Sequence, residues 1–218
     1  MAGRLSQGNL YQQTGLPAPQ ALGRPLEASY NLSPYQWLAL QTATDTLVAA
    51  HWGLAPSWIK NLRQAPFTAR KESLADNALF QQPLQQQRGL LPLQGYYDWL
   101  HAKGKRWPVF ISSPEHPVLY AAALWQWYRL ADVAYLTCAL ISVPANPFLG
   151  QFSQRMPALL DPTEHSRWLA ADTPVEQCLA LLQPYSATLQ AWQVDPQVNS
   201  HHFQGSRCIV PQGRVFIG

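Results

Sequence analysis

The chain has 218 residues, of which 47% are hydrophobic and 12% charged, and its formal net charge is +3. It is long enough to bury a sizeable core, so the composition excludes a disordered chain and favours one globular α+β domain over residues 1–218. The small positive charge alone does not indicate nucleic-acid binding, because binding depends on how basic residues cluster.

The first predicted elements are an arm and strands. Residues 1–30 are rich in polar and turn-forming residues, which predicts an irregular arm lying over the core. Short apolar stretches bounded by turn formers are typical of half-buried strands. Four such stretches occur, at residues 47–53, 88–93, 108–112 and 135–141.

Helices are predicted at residues 71–80 and 174–182, with a further short one beginning at Pro162. In the helix at 174–182, Thr173 is the expected N-cap and Pro174 the first helical residue. The glutamine-rich residues 81–87 are expected to form a solvated loop.

The sequence lacks the patterns of a membrane span, a secretion signal and a cysteine metal site. No apolar run approaches the roughly 18 residues of a membrane span, and the N-terminus lacks the pattern of a secretion signal. We therefore expect a cytoplasmic protein that does not contact a membrane. The three cysteines, Cys138, Cys178 and Cys208, have no metal-ligand spacing and are expected to be reduced. We expect neither a metal nor a cofactor.

Six short segments carry a family resemblance. They are Met1–Arg4 (MAGR), Tyr30–Pro34 (YNLSP), Trp52–Trp58 (WGLAPSW), Ala69–Glu72 (ARKE), Gly95–Trp99 (GYYDW) and Arg155–Pro157 (RMP). In this order and at this spacing they resemble segments of the SOS-response-associated peptidase (SRAP) family. The resemblance implies an open, barrel-like β-sheet with surrounding helices. It also implies a protein that binds single-stranded DNA and traps abasic sites covalently.

The reactive residue of that family is replaced here. Family members carry a cysteine at position 2, whose amine attacks the abasic aldehyde and whose thiol then closes a thiazolidine. This chain has Ala2, and a methyl group cannot close that ring. Its α-amine, exposed after removal of Met1, could still form an imine, because such amines have a pKa of about 7.7–8.

Three further positions implied to be catalytic also differ. Thr68 stands where the family has asparagine, and Asp98 stands where it has glutamate. Aspartate keeps the acid but is one methylene shorter, and a shift of about 1 Å can cost roughly a hundredfold in rate. Ser153 replaces a histidine, so an acid–base group is lost unless another residue substitutes for it.

The residues implied to contact DNA are retained. Arg4, Arg70 and Arg155 match arginines that bind phosphates, and Trp58 matches an aromatic that packs on a base or sugar. Asn31 and Glu72 belong to the same segments and are placed with them as DNA-binding residues. Structural alternatives stay open: Arg70 and Glu72 as residues of a helix start, Trp58 as core, and Asp98 as a hydrogen-bonding residue at a strand end.

Lys103, Lys105 and Arg106 form a basic cluster after the GYYDW segment. They form either a hairpin tip or an extension of the phosphate-binding track. The nearby His101 lies in polar sequence and is expected to be exposed.

Two functional hypotheses follow. In the first, the chain is a monomeric SRAP-like protein of the DNA damage response that binds single-stranded or abasic DNA without a lasting covalent bond. In the second, it remains an enzyme with peptidase-like or abasic-site lyase chemistry that uses the Ala2 amine and Asp98.

Overall fold

The structure is a computed structural model that describes residues 3–43, 46–102 and 104–218. The strands are β1 Arg4–Ser6, β2 Gln20–Ala21, β3 Arg24–Pro25, β4 Trp37–Ala43, β5 Thr46–Trp52, β6 Thr68–Arg70, β7 Arg88–Leu93, β8 Gly95–Ala102, β9 Lys105–Ser112, β10 Leu119–Leu130, β11 Val133–Pro144, β12 Arg155–Pro157, β13 Gln190–Gln193 and β14 Val215–Ile217. The α-helices are α1 Leu10–Thr14, α2 Ala78–Gln86, α3 His165–Leu169 and α4 Val175–Leu181. Short 3₁₀ turns include Lys71–Ser73 and Pro162–Glu164.

Two main sheets build the fold. In the larger sheet, β10, β7, β4, β5 and β11 are neighbours in that order, and a further pairing of β10 with β11 closes them into a ring. The smaller sheet has the order β1-β8-β9-β13-β14. The predicted α+β class and the barrel-like sheet are therefore confirmed.

Apolar residues of the ring strands are buried in one cluster. Leu38 and Leu40 of β4 and Leu90 of β7 belong to the same cluster as Leu124 and Leu140 of the β10–β11 pair. Every residue of β7 is buried, so this strand is covered on both of its faces.

The four predicted strands are present as β5, β7, β9 and β11, and the short helix expected at Pro162 is present as a 3₁₀ turn followed by α3. The three cysteines are free and buried. In the residues that the structure describes, no helix is both long and apolar enough to cross a membrane.

Three predictions about the helices were wrong. The helix expected at residues 71–80 is a 3₁₀ turn, and α2 starts later because the side chain of Asn77 accepts a hydrogen bond from the Leu79 amide at 3.0 Å. The glutamine-rich segment belongs to α2 instead of a loop, since glutamine is a good helix former. Thr173 does not cap α4, because its hydroxyl donates to the Arg167 carbonyl at 2.7 Å.

The N-terminal arm is more ordered than expected. Residues 4–6 form β1, which pairs with β8, and the side chain of Leu5 is fully buried. The irregular-arm prediction was therefore wrong for β1 and for α1. Its physical reason is that Leu5 and Leu10 bury their side chains in the interior.

Arg88 holds two helix ends against the ring. Its side chain is 3% exposed and donates to the carbonyls of Leu84 and Gln85 in the last turn of α2, each at 2.7 Å. It also donates to the carbonyl of Trp168 at 2.7 Å and to that of Ala170, at the end of α3. One guanidinium thus satisfies carbonyls that helix ends leave without partners.

We therefore expect Arg88→Ala to lower the free energy of unfolding by more than about 3 kcal/mol, because each buried acceptor left unsatisfied costs about 1–3 kcal/mol. Urea denaturation measures the change. Arg129→Ala, at an exposed position of β10, is the matched control and should shift stability by no more than about 0.5 kcal/mol. Equal effects of the two substitutions would contradict this role for Arg88.

Candidate nucleic-acid interface

A cleft of about 490 Å³ is lined by residues from both sheets. The smaller sheet contributes residues of β8 and β9. The larger sheet contributes the ends of β6 and β12, two strands that lie outside the ring and pair with β11. The lining residues are Gly3, Arg70, Asp98, Trp99, His101, Arg106, Phe152, Ser153, Gln154 and Arg155.

Asp98 is the buried acid of the cleft. It lies on β8 and is 6% exposed, and its Oδ1 accepts a hydrogen bond from the Trp99 amide at 2.9 Å. Burial raises the pKa of Asp98, while the hydrogen bonds from the Trp99 amide and the Ser153 hydroxyl act in the opposite direction. The structure therefore brings together two of the four substituted positions, Asp98 and Ser153, in direct contact.

Ser153 also connects Asp98 to β12. Its hydroxyl oxygen accepts a hydrogen bond from the Arg155 amide at 3.4 Å. The serine thus links the acid to the loop before β12, which is a positioning role that needs no titration near neutral pH.

Arg155 is tied to Glu72 by a two-pronged ion pair. Its Nη1 and Nη2 donate to the two carboxylate oxygens of Glu72 at 3.2 and 2.8 Å. Its Nε and Nη2 also donate to the hydroxyl and the carbonyl of Ser142 on β11, at 3.1 and 2.7 Å. The hydrogen bonds from Arg155 lower the pKa of Glu72. Most donors of this guanidinium are therefore already engaged within the protein.

Arg70 has a different environment. It ends β6, where its Cα pairs with Ser142, and its side chain is exposed. Within residues 3–43, 46–102 and 104–218 its guanidinium makes no hydrogen bond and no ion pair within 4.0 Å. Of the three arginines expected to bind phosphate, Arg70 is thus the one that is exposed and has no such bond to the described residues.

Arg4 and Asn31 join the start of the chain to its C-terminal part. Arg4 donates to the Asn31 side chain at 2.8 Å and to the Asn199 carbonyl at 2.5 Å, and burial lowers its pKa. Asn31 is fully buried and donates through Nδ2 to the carbonyls of Val198, Ser200 and Phe203, each at 3.0 Å. Neither residue lines the cleft, and their DNA-binding roles stay predictions.

Thr68 and Trp58 lie outside the cleft as well. Thr68 is half-buried on β6 and pairs with Leu140 of β11. Trp58 is 74% exposed, so it is not a core residue, and it lines a separate cleft of about 420 Å³ beside α2. Ala2 lies outside the described residues; it is bonded to Gly3, which lines the cleft.

Sequence reasoning missed Trp99 and His101 as site residues, and it left Arg106 as either part of a hairpin tip or part of the phosphate-binding track. His101 is exposed, as expected, and its Cα pairs with that of Arg106 across the β8–β9 hairpin. The hairpin interpretation of the basic cluster is confirmed, with Gly104 at a φ of 71° in the turn. Lys103 lies outside the described residues. The signal that could have located Arg106 is the hairpin register, which returns β9 alongside the GYYDW strand.

The cleft combines exposed cations with one buried acid. Arginine side chains suit phosphate because their planar donors match its oxygens. Asp98 supplies a carboxyl that can accept or donate a hydrogen bond and can take part in proton transfer to a group bound beside it. The arrangement is therefore suited to an anionic ligand with a reactive or hydrogen-bonding centre near Asp98.

The raised pKa of Asp98 predicts a pH-dependent stability. The folded protein holds this proton more tightly than the unfolded chain, so its stabilising effect is fully present below the unfolded value of about 3.9 and is lost as pH rises through the folded pKa. Asparagine does not ionise, so the Asp98→Asn protein does not lose this stability. The free energy of unfolding of Asp98→Asn minus that of the unsubstituted protein should therefore grow as pH rises.

Urea denaturation from about pH 3 to pH 7 measures this difference. Asp132→Asn, at an exposed position after β10, is the control substitution. A difference for Asp98→Asn that stays constant with pH, or that matches the control, would show that the carboxyl is not destabilised by burial.

Comparisons with known proteins agree with this architecture. The chain is 28% identical over 197 residues to the abasic site processing protein YMR114C of Saccharomyces cerevisiae, covering 85% of this chain and 53% of that protein. It is 29% identical over 183 residues to the abasic site processing protein YoaM of Bacillus subtilis, covering 80% and 81% of the two chains. The chain thus spans about half the length of the yeast relative.

The fold also matches a solved structure. A crystal structure of a Bacteroides thetaiotaomicron protein superposes with a TM-score of 0.76 at 19% identity, covering 96% of this chain and 92% of that one. The family model of the SOS response associated peptidases (SRAP) matches residues 1–201. This match covers most of the chain, and the chain therefore belongs to the SRAP family.

Proposed function

We propose that this protein binds single-stranded DNA, including strands with an abasic site, through the cleft around Asp98, and that it does so without forming a stable thiazolidine crosslink. The observation that carries the proposal is the meeting of Asp98 and Ser153 with Arg70 and Arg155 in one cleft. The relatives named as abasic site processing proteins support the choice of ligand.

The size and charge of the cleft favour one extruded nucleotide. A volume of about 490 Å³ lies in the range of small-ligand pockets. Arg70 supplies an exposed guanidinium for a phosphate, while Arg155 is held in place by Glu72 and Ser142. The exposed indole of Trp58 offers a stacking surface for a base of the same strand, and such stacking contributes roughly 1–3 kcal/mol.

The chemistry of residue 2 explains why the complex is non-covalent. A thiazolidine ring needs a thiol on the residue whose amine has attacked the aldehyde, and Ala2 has none. An imine formed without that ring closure is hydrolysed by water, so the strand is released.

We expect Arg70→Ala to weaken binding of a single-stranded oligonucleotide and to reduce its salt dependence. Each phosphate contact removed lowers the slope of log K against log salt by about 0.7 for single strands. Fluorescence anisotropy over a salt series measures both effects. Arg129→Ala, an exposed arginine outside the cleft, should leave the slope unchanged. The binding proposal would be overturned if the unsubstituted protein showed no affinity for the strand.

A second candidate function is imine formation followed by strand cleavage. The position of Asp98 favours it, because this buried carboxyl lines the cleft that Gly3 also lines and can serve there as a general acid or base. The nucleophile in this case is the α-amine of Ala2 after removal of Met1.

A denaturing gel with a single-stranded abasic oligonucleotide separates the two functions. We expect a shift on a native gel and no covalent band on the denaturing gel without borohydride. A band that appears only with borohydride would establish an imine and favour the lyase function, and loss of that band on acetylation of the amine would assign it to residue 2. A covalent band without borohydride would overturn the proposal of a non-covalent complex.

A further inference from the structure

The arginines of this protein differ in how many donors remain for a ligand. Arg4 donates to the Asn31 side chain and to the Asn199 carbonyl, and Arg88 donates to four carbonyls. Arg155 donates to Glu72 and Ser142. Arg70 and Arg106 line the cleft with exposed side chains. In the part of the chain that the structure describes, Arg106 makes no ion pair within 4.0 Å.

Arg106 does have one partner, the ring of Trp99. The guanidinium carbon lies over the indole at 5.3 Å from the ring centroid. The indole is itself fixed, because its Nε1 donates to the side chain of Asn199 at 3.0 Å. The aromatic ring thus holds the cation in position without neutralising its charge.

A guanidinium that packs on a ring keeps its hydrogen-bonding capacity. Its five N–H donors lie in the plane of the group, whereas the contact with the ring involves its face. An arginine paired with a carboxylate instead loses both donors and net charge. Arg106 therefore presents to the cleft a charged and oriented set of donors, which Arg155 does not.

We propose that Trp99 and Arg106 form a second phosphate subsite, which binds a phosphodiester of the single strand on the side of the cleft opposite Arg70. Arg70 lies on β6 of the larger sheet and Arg106 lies on β9 of the smaller sheet, so the two side chains reach the cleft from different sheets. They clamp the phosphates that flank the nucleotide at Asp98. This inference rests on the proposed binding of single-stranded DNA.

The subsite explains why the basic hairpin follows the GYYDW segment directly. The β8–β9 register pairs His101 with Arg106 and Trp99 with Pro108. Arg106 is two residues before Pro108, so it lies diagonally across from Trp99. At that distance a long side chain can reach the indole.

The test measures the salt dependence of binding to a dT oligonucleotide by anisotropy for Arg106→Ala and Arg106→Lys. Loss of one phosphate contact should weaken binding at least threefold at low salt and reduce the slope by about 0.7 in the alanine variant. Lysine keeps the charge, so it should restore the slope. If Arg106 were only structural, the slope of log K against log salt would not fall in the alanine variant and return in the lysine variant.

Arg214→Ala is the matched control. Arg214 also lies over an aromatic ring, that of Phe216 at 5.9 Å, but it lines a different cleft. We expect its slope to equal that of the unsubstituted protein. Thermal unfolding of every variant ensures that the comparison is made between folded proteins.

The outcomes distinguish the two proposals. No binding by the unsubstituted protein would remove the proposed function and this inference together. Binding in which Arg70→Ala lowers the slope and Arg106→Ala leaves it unchanged would overturn the inference alone. Competition by inorganic phosphate beyond that of chloride at equal ionic strength, lost in Arg106→Ala, would support the subsite, because the free anion would then displace a phosphodiester from it.

Discussion

Strand β11 is the constraint on which the fold and the cleft both depend. It pairs with β10 and β5 to close the ring, and its later residues pair with β6 and β12. Arg70 ends β6 opposite Ser142, and Arg155 begins β12 opposite Pro144. The backbones of both arginines are therefore fixed by strand pairing to one end of the buried strand β11.

The same end of β11 holds the side chain of Arg155 but not that of Arg70. Ser142 receives two hydrogen bonds from Arg155, and Glu72 receives two more. An exposed ion pair of this kind contributes little to stability, about 0–1 kcal/mol, but it fixes the direction of the side chain. Arg155 is thereby a structural wall of the cleft, and the charge that faces solvent comes from Arg70 and Arg106.

Part of this could be predicted from the sequence. Strand β7 and the middle of β11 are continuous apolar runs, and burial on both faces makes such runs recognisable. The start of α2 could not be predicted in the same way, because the asparagine cap at Asn77 competes with an equally helical sequence before it. β1 was missed because three residues carry no periodic pattern, and only pairing with the distant β8 makes them a strand.

The site residues also differ in whether local sequence or distant contacts determine them. Asp98 and Ser153 were predicted from short segments, and the cleft brings them into contact. The roles of Arg4 and Asn31 depend on carbonyls near residue 200, which no local pattern relates to the start of the chain. For Arg106 the sequence left a hairpin tip and a phosphate-binding track open, and its place beside Trp99 follows from the β8–β9 register, since a cross-strand neighbour is a property of the folded hairpin.

The charge of the cleft links its acid to its ligand. Burial raises the pKa of Asp98, which lines the cleft proposed to bind the phosphates of the strand. A phosphodiester brought close to it would raise that pKa further, because like charges disfavour ionisation. Binding of the strand in this cleft, as proposed, would therefore be coupled to protonation of Asp98, because a nearby phosphate charge favours the protonated carboxyl.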